Sequence, residues 1–355
     1  MPNAHFPNRR DCMQRLLLAG LAAGGPSLAR AALERPSVLR LPEGLSRDLN
    51  AALHSKQGNS DFSDAWTVRR STYFWQTHAR PQGMTLPSEA GKLLLMPALN
   101  CFSAYFLNGD HSIRSLGVWP DTGTGTGPRL FFSDNNGGDA LRGQARWIGL
   151  QLTDAMREKV GEEELQRISD GLSVVLRGAT YDGSTTLTLP RLGAPRVKGS
   201  SSTGVTLVPV LSGFSLQHRG DKYVKRVMLK IDANDDKVHL AMSDSDQAKQ
   251  EEVMFAVRIQ WLPVSLFERM RATVGGTDRE GAPFVSQAMR RRTVLTGFDL
   301  RFTNGGHKLQ SIGLNNQDSV GSDNWLRWSD SNADDPIRWE ASYRLLADGL
   351  LPDSD

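Results

Sequence analysis

The stretch LTGFDLRFTNGGHKLQSIGLNN, Leu295–Asn316, is the one whose reading decides the fold. Taken alone it is a hairpin: an alternating apolar run, an Asn-Gly-Gly turn and a second apolar run. Two other stretches carry the same arrangement, LNCFSAYFLNGDHSIRSLGV from Leu99 and LSGFSLQHRGDKYVKRVMLKI from Leu211. The hairpin is therefore one copy of a threefold internal repeat.

In each copy the first run alternates with period two: Phe102, Ala104 and Phe106; Phe214, Leu216 and His218; Phe298, Leu300 and Phe302. Alternation of this kind buries one face of a strand. The turns NGD, RGD and NGG follow, and glycine supplies the positive backbone angles of a tight hairpin. The second run spaces its apolar residues three and then two apart, at Ile113, Leu116 and Val118, at Val224, Val227 and Leu229, and at Leu309, Ile312 and Leu314. That spacing predicts a bulge at the same point in every copy. A third strand ends in Ser-Asp each time (LFFSD, HLAMSD, LRWSD), and a fourth opens near Trp147, Phe255 and Trp339.

The expectation is an all-β protein of three four-stranded antiparallel units, near residues 93–152, 205–262 and 293–346. Each unit is too small to bury a core alone, so the three share one sandwich-like core. The connections LTDAMREKVGEEELQRI and VSLFERMRATVGG space their apolar residues at three to four, which predicts short connecting helices. LSVVLRGATYDGSTTLTL predicts an added hairpin, AWTVRRSTYFWQT an aromatic strand or two, EGLSRDLNAALH a short helix and PRVKGSSSTGV a linker.

Ahead of the repeats, NRRDCMQRLLLAGLAAGGPSLARA sets Arg9 and Arg10 before an apolar run and ends in small residues around Ala29-Arg30-Ala31. That order predicts a cleavable export signal over residues 1–31 and a periplasmic or secreted bacterial protein. The apolar run is short for a membrane span, and no transmembrane span is expected in the mature chain. The segment resembles a twin-arginine signal, which implies export by that route. The rest divides into an N-terminal segment at 32–92, the first repeat with its helix and hairpin at 93–200, the second with its helix at 201–292, and the third at 293–355.

The whole chain has 42 basic and 39 acidic residues, and cleavage would remove four arginines and one aspartate, leaving the two balanced. Balance speaks against a nucleic-acid partner, which calls for a clustered cationic surface. The tight cluster Arg290, Arg291 and Arg292 reads as a solvated lead-in to the third repeat. Without the signal Cys101 is the sole cysteine; it stands where the other copies have Gly213 and Gly297 and reads as a small buried residue at a crowded spot.

Chemistry-bearing patterns gather at the ends of the third strands. Asp134 and Asn136, Asp244 and Asp246, and Asp330, Asn332 and Asp334 follow Asp-x-Asn/Asp, a spacing that turns two oxygen ligands toward a hard cation such as calcium. The plainer reading is that these residues end a strand by bonding their own backbone. Position 12 of an EF-hand loop would fall on Ala145, Phe255 or Ala341, so the loops are not EF-hands. His111 and His307 follow the turn where the middle copy has Lys222, and Asp110 precedes the first. Asp110 and His111 are the weak candidates for acid–base work, against a solvated or capping role. Trp325 points to the outer face and Trp119 sits at a strand end, and these two, with His111 and His307, are the candidates for contact with a ligand. No nucleophile elbow, zinc-protease helix, P-loop or dinucleotide fingerprint occurs.

The words TGFDLRF and HKLQSIGLN resemble the H-type lectins, small sugar-binding β-sandwiches with a Gly-Phe strand followed by an aliphatic one. The resemblance implies a sandwich-like fold and glycan recognition, and assigns no binding residue. Repetition itself favours a multivalent binder over an enzyme, which needs one asymmetric constellation. The expected function is a non-catalytic binding or assembly module for a glycan or envelope component, with no required cofactor and calcium as the candidate ion. The alternatives are a hydrolase specialised around Asp110 and His111, or a purely structural envelope protein.

Overall fold

The apolar alternation carries through to the structure, a computed structural model that describes residues 66–77, 84–86, 94–122, 127–134, 139–152, 169–181, 183–190, 207–244, 252–278, 292–314, 326–329 and 337–351. They belong to one unit, Ser37–Asp355. The export signal, the helix expected near residue 50, the first connecting helix and the linker lie outside the described residues.

Two strands come first, β1 (Trp66–Thr77) and β2 (Met84–Thr85). The segment around Phe102 forms β3 (Leu95–Phe106), β4 (Ile113–Trp119), β5 (Arg129–Ser133) and β6 (Leu141–Leu152), followed by β7 (Ser173–Thr180) and β8 (Ser184–Thr188). The segment around Phe214 forms β9 (Leu207–Lys222), β10 (Val224–Ile231), β11 (Lys237–Asp244) and β12 (Val253–Pro263), then a 3-10 turn at Val264–Leu266 and β13 (Phe267–Asp278). The segment around Phe298 forms β14 (Thr293–Phe302), β15 (Ser311–Leu314), β16 (Leu326–Ser329) and β17 (Ile337–Leu346). The protein is all-β, in three antiparallel sheets ordered β1-β6-β3-β15-β16, β2-β5-β4-β9-β12-β7 and β13-β17-β14-β10-β11-β8.

The sheets are not the self-contained meanders expected from the sequence. Within each segment the first strand pairs with the fourth: β3 with β6, β9 with β12, β14 with β17. The second and third strands form a hairpin in a different sheet, β4 with β5, β10 with β11, β15 with β16. Across segments β4 lies on β9, β10 on β14, and β15 on β3, which closes a cycle. The turns at Asn108-Gly109, Arg219-Gly220 and Asn304-Gly305 thus carry the chain from one sheet to the next instead of closing a hairpin. Their chemistry is as expected, since Gly109 (φ 119°) and Gly305 (φ 150°) take backbone angles that a side chain disfavours.

Two further expectations are corrected. VSLFERMRATVGG is a 3-10 turn and a strand, β13, not a helix. Thr273 and Val274 are β-branched, Gly275 and Gly276 are poor helix formers, and the edge of β17 offers an unpaired ladder to cover. LSVVLRGATYDGSTTLTL does not fold on itself, because β7 pairs with β12 and β8 with β11, in separate sheets.

The predicted second-strand bulge is present in β10, which slips by one residue against β11 between Val224 and Arg226; the irregularity beside Ile113 and Ser115 puts its extra residues on β9 instead. Leu309, at the same place in the third segment, stands off β15 as an isolated bridge. A further slip, one residue before each repeat Cys or Gly, leaves Asn100, Ser212 and Thr296 as extra residues in β3, β9 and β14. All three are fully buried polar residues. The slip lets the next residue approach its neighbour closely: a Cβ on Gly297 would lie 2.6 Å from Lys230 Cα. Cys101 is buried, as its place in the repeat predicted.

At the centre the repeat phenylalanines meet. Phe102, Phe214 and Phe298 are at most 1% exposed and form a triangle with ring centroids 5.1, 5.2 and 5.4 Å apart. Such offset and edge-on contacts between rings add to the burial of their area.

Candidate functional site

One end of the cycle is built from the residues that follow the three turns. Ile113 pairs with Lys222, Val224 with His307 and Leu309 with His111. The last two are bridges whose backbone hydrogen bonds measure 2.8 to 3.0 Å. Each pair joins the first buried apolar residue of one second strand to the position two residues earlier in another segment. The bridges link the three turn exits into a ring whose polar members are His111, Lys222 and His307.

His111 anchors a polar cluster beside this ring. Its Nδ1–H donates to Asp134 Oδ2 at 3.1 Å and also lies 3.2 Å from Asp139 Oδ2. Asp134 comes from just after β5 and Asp139 from just before β6, so the imidazole meets one carboxylate from each. Asn108 Nδ2, in the turn, donates to Asp139 Oδ1 at 2.5 Å, and the His111 ring packs on Phe106 with centroids 4.3 Å apart. Burial pushes the Asp139 carboxyl up, but the bonds from Asn108 and Asp134 and the neighbouring His111 outweigh it and hold the group below its ordinary value. His111 Nε2 is buried and has no hydrogen-bond partner among the described residues.

Asp134 was an expected ligand residue; Asp139 was not singled out. Its signal was the NNGGD stretch after the third strand, a composition that favours turns. His307 takes the capping role: its Nε2–H donates to Asn304 Oδ1 at 3.0 Å across the turn, and its ring packs on Phe302 at 4.2 Å. Asp110 sits half-buried in the first turn. Trp119, expected at a contact surface, is buried at 9% exposure at the end of β4. Asp244 ends β11. Asn136, Asp246, Trp325, Asp330, Asn332 and Asp334 lie outside the described residues.

His111 Nδ1 and one oxygen each of Asp134 and Asp139 lie within 4.8 Å of one another, close enough to hold one metal ion. One imidazole with two carboxylates suits a borderline cation such as zinc better than calcium, which prefers a larger all-oxygen set. The same distances are met by a histidine bonded between two acids. No protein-family model matches this chain, and no curated protein matches it. No helix among the described residues is long and apolar enough to cross a membrane.

Proposed function

We propose that this chain is an exported, non-catalytic binding or assembly module that recognises a glycan or another envelope component through turns carried on three related units. The observation that supports the reading is the closed cycle of strand pairing, β4 on β9, β10 on β14 and β15 on β3, around the phenylalanine triangle. A pseudo-threefold core of this kind presents similar turns at one end, and several similar sites gain avidity that a single site lacks. A cation at the acidic strand ends belongs to this proposal; of the expected ions calcium would need the all-oxygen loops, whereas the described donors His111, Asp134 and Asp139 suit a borderline cation such as zinc.

The hydrolase reading around Asp110 and His111 has less support. A general base must come within hydrogen-bond reach of its substrate, and His111 Nε2 is closed off from solvent against the core. The test is thermal unfolding of the mature chain with calcium, with a chelator and against a glycan panel, since a ligand that binds only the folded state raises the midpoint. A rise with a glycan or with calcium is expected. No shift with any of them, together with ester or glycoside turnover that Asp110→Asn or His111→Ala abolishes, would favour the enzyme.

A further inference from the structure

The strands β13, β17, β14 and β10 turn one face away from the core, and their register sets what stands on it. Arg226 lies opposite Arg301, and Arg301 opposite Arg338, so three guanidinium groups form a row across three strands. The next row holds Met228, Asp299, Glu340 and Gly275. The intervening residues Val227, Leu300 and Trp339 point inward and are buried.

Most charges on this face are matched. Arg226 forks Asp299 with bonds of 2.8 and 2.6 Å, and Lys230 pairs with Glu340. Arg301 and Arg338 are left facing each other, with no acidic partner within ion-pair distance among the described residues. Like charges directly opposite one another destabilise a sheet, so the pair is a cost to the fold that an anion between them would remove. A groove of about 490 Å³ lies over them, lined by Thr273, Gly275, Asp299, Arg301, Arg338 and Glu340 among others. On the β13 side it is bordered by Gly275, which stands opposite Glu340 and has no side chain.

We propose that this groove binds a polyhydroxylated carboxylate, the chemistry of an acidic sugar. The ligand carboxylate bridges Arg301 and Arg338, whose planar forks match it. Its hydroxyls donate to Asp299 and Glu340, since each carboxylate has acceptor positions beyond those taken by Arg226 and Lys230. A neutral sugar leaves the arginines opposed, and a simple inorganic anion leaves the acidic row unused. The volume falls in the range of about 300–1,000 Å³ typical of small-molecule sites. The proposal rests on the register and charge of one sheet, and it stands whether or not the turn ring binds anything.

The test measures unfolding midpoints and calorimetric affinity with glucuronate, glucose and inorganic phosphate, on the mature chain and on Arg301→Gln, Arg338→Gln and the double variant. Glucuronate is expected to raise the midpoint, less so at high salt, and glucose and phosphate to do so weakly or not at all. Each substitution is expected to weaken glucuronate binding about tenfold, as loss of a charge-assisted bond does. Without ligand the variants are expected to melt at or above the parent midpoint, because a repulsion has gone; a purely structural role for the arginines would lower it. Equal shifts with glucose or phosphate, no shift with glucuronate, or a double variant that binds like the parent would each overturn the proposal.

Discussion

His111 shows what changes when a residue read from its neighbours in sequence is met in three dimensions. The adjacent Asp110 suggested a local acid–base pair, yet the carboxylates brought to Nδ1 belong to Asp134 and Asp139, on the far side of the β4–β5 hairpin. The cluster makes a pH prediction. The Asp139 carboxyl is held below its ordinary value; such a group adds stability that is fully present above its unfolded pKa and lost as the pH falls through the folded one. Asp139→Asn is therefore expected to cost about 1–2 kcal/mol at neutral pH, the scale of a hydrogen bond to a charged group. The gap from the parent should close below about pH 4, near the unfolded carboxyl value. Denaturant unfolding at several pH values checks this, and a gap that does not narrow as the pH falls below the unfolded carboxyl value would refute it.

At the scale of elements, each sheet carries a strand beside the fourth strand of its segment: β1 beside β6, β7 beside β12 and β13 beside β17. Local pattern identified β1 as a strand, put β7 in a hairpin and made β13 a helix. The common cause of both errors is that these strands are specified by the edge they cover, which no local window contains. One element is locked by charge as well. In the β10–β11 turn, Asp232 Oδ1 accepts from the backbone N–H groups of Asp236 and Lys237 at 3.0 and 3.1 Å. Asp235, at a positive φ of 61°, bonds Arg271 of β13 and Arg344 of β17, both at 2.7 Å. The Arg344 side chain is only 2% exposed; burial pushes its guanidinium down, and Asp235 opposes that shift. Asp235→Ala removes the carboxylate shared by Arg271 and this buried cation and is expected to cost about 3 kcal/mol by chemical denaturation. A loss under about 1 kcal/mol, the worth of a surface pair, would show that the network is incidental.

Over the whole molecule, the all-β class could be read from the sequence because alternation and turn glycines are local, and so could the burial of Cys101 and of the inward phenylalanines. Which strand lies beside which could not be read. A turn such as Asn108-Gly109 has the same residues whether the next strand folds back on the first or crosses to another sheet. The surroundings of the candidate residues could not be read for a related reason: Asp134 meets His111 from a distant point of the chain, and Trp119 is buried at the end of β4. The cycle is closed by β15 on β3, where Tyr105 lies directly opposite Ser311. Opposed residues on antiparallel strands lie within disulfide range of about 4.4–6.8 Å between Cα atoms, and the native Cys101 is buried away from oxidant. The most direct test is therefore to place cysteines at Tyr105 and Ser311 and map disulfides by peptide mass spectrometry after mild oxidation. An intramolecular 105–311 disulfide in the folded monomer is the expected result. Cysteines that stay reduced, or that bridge only between chains, would contradict the cyclic exchange of strands.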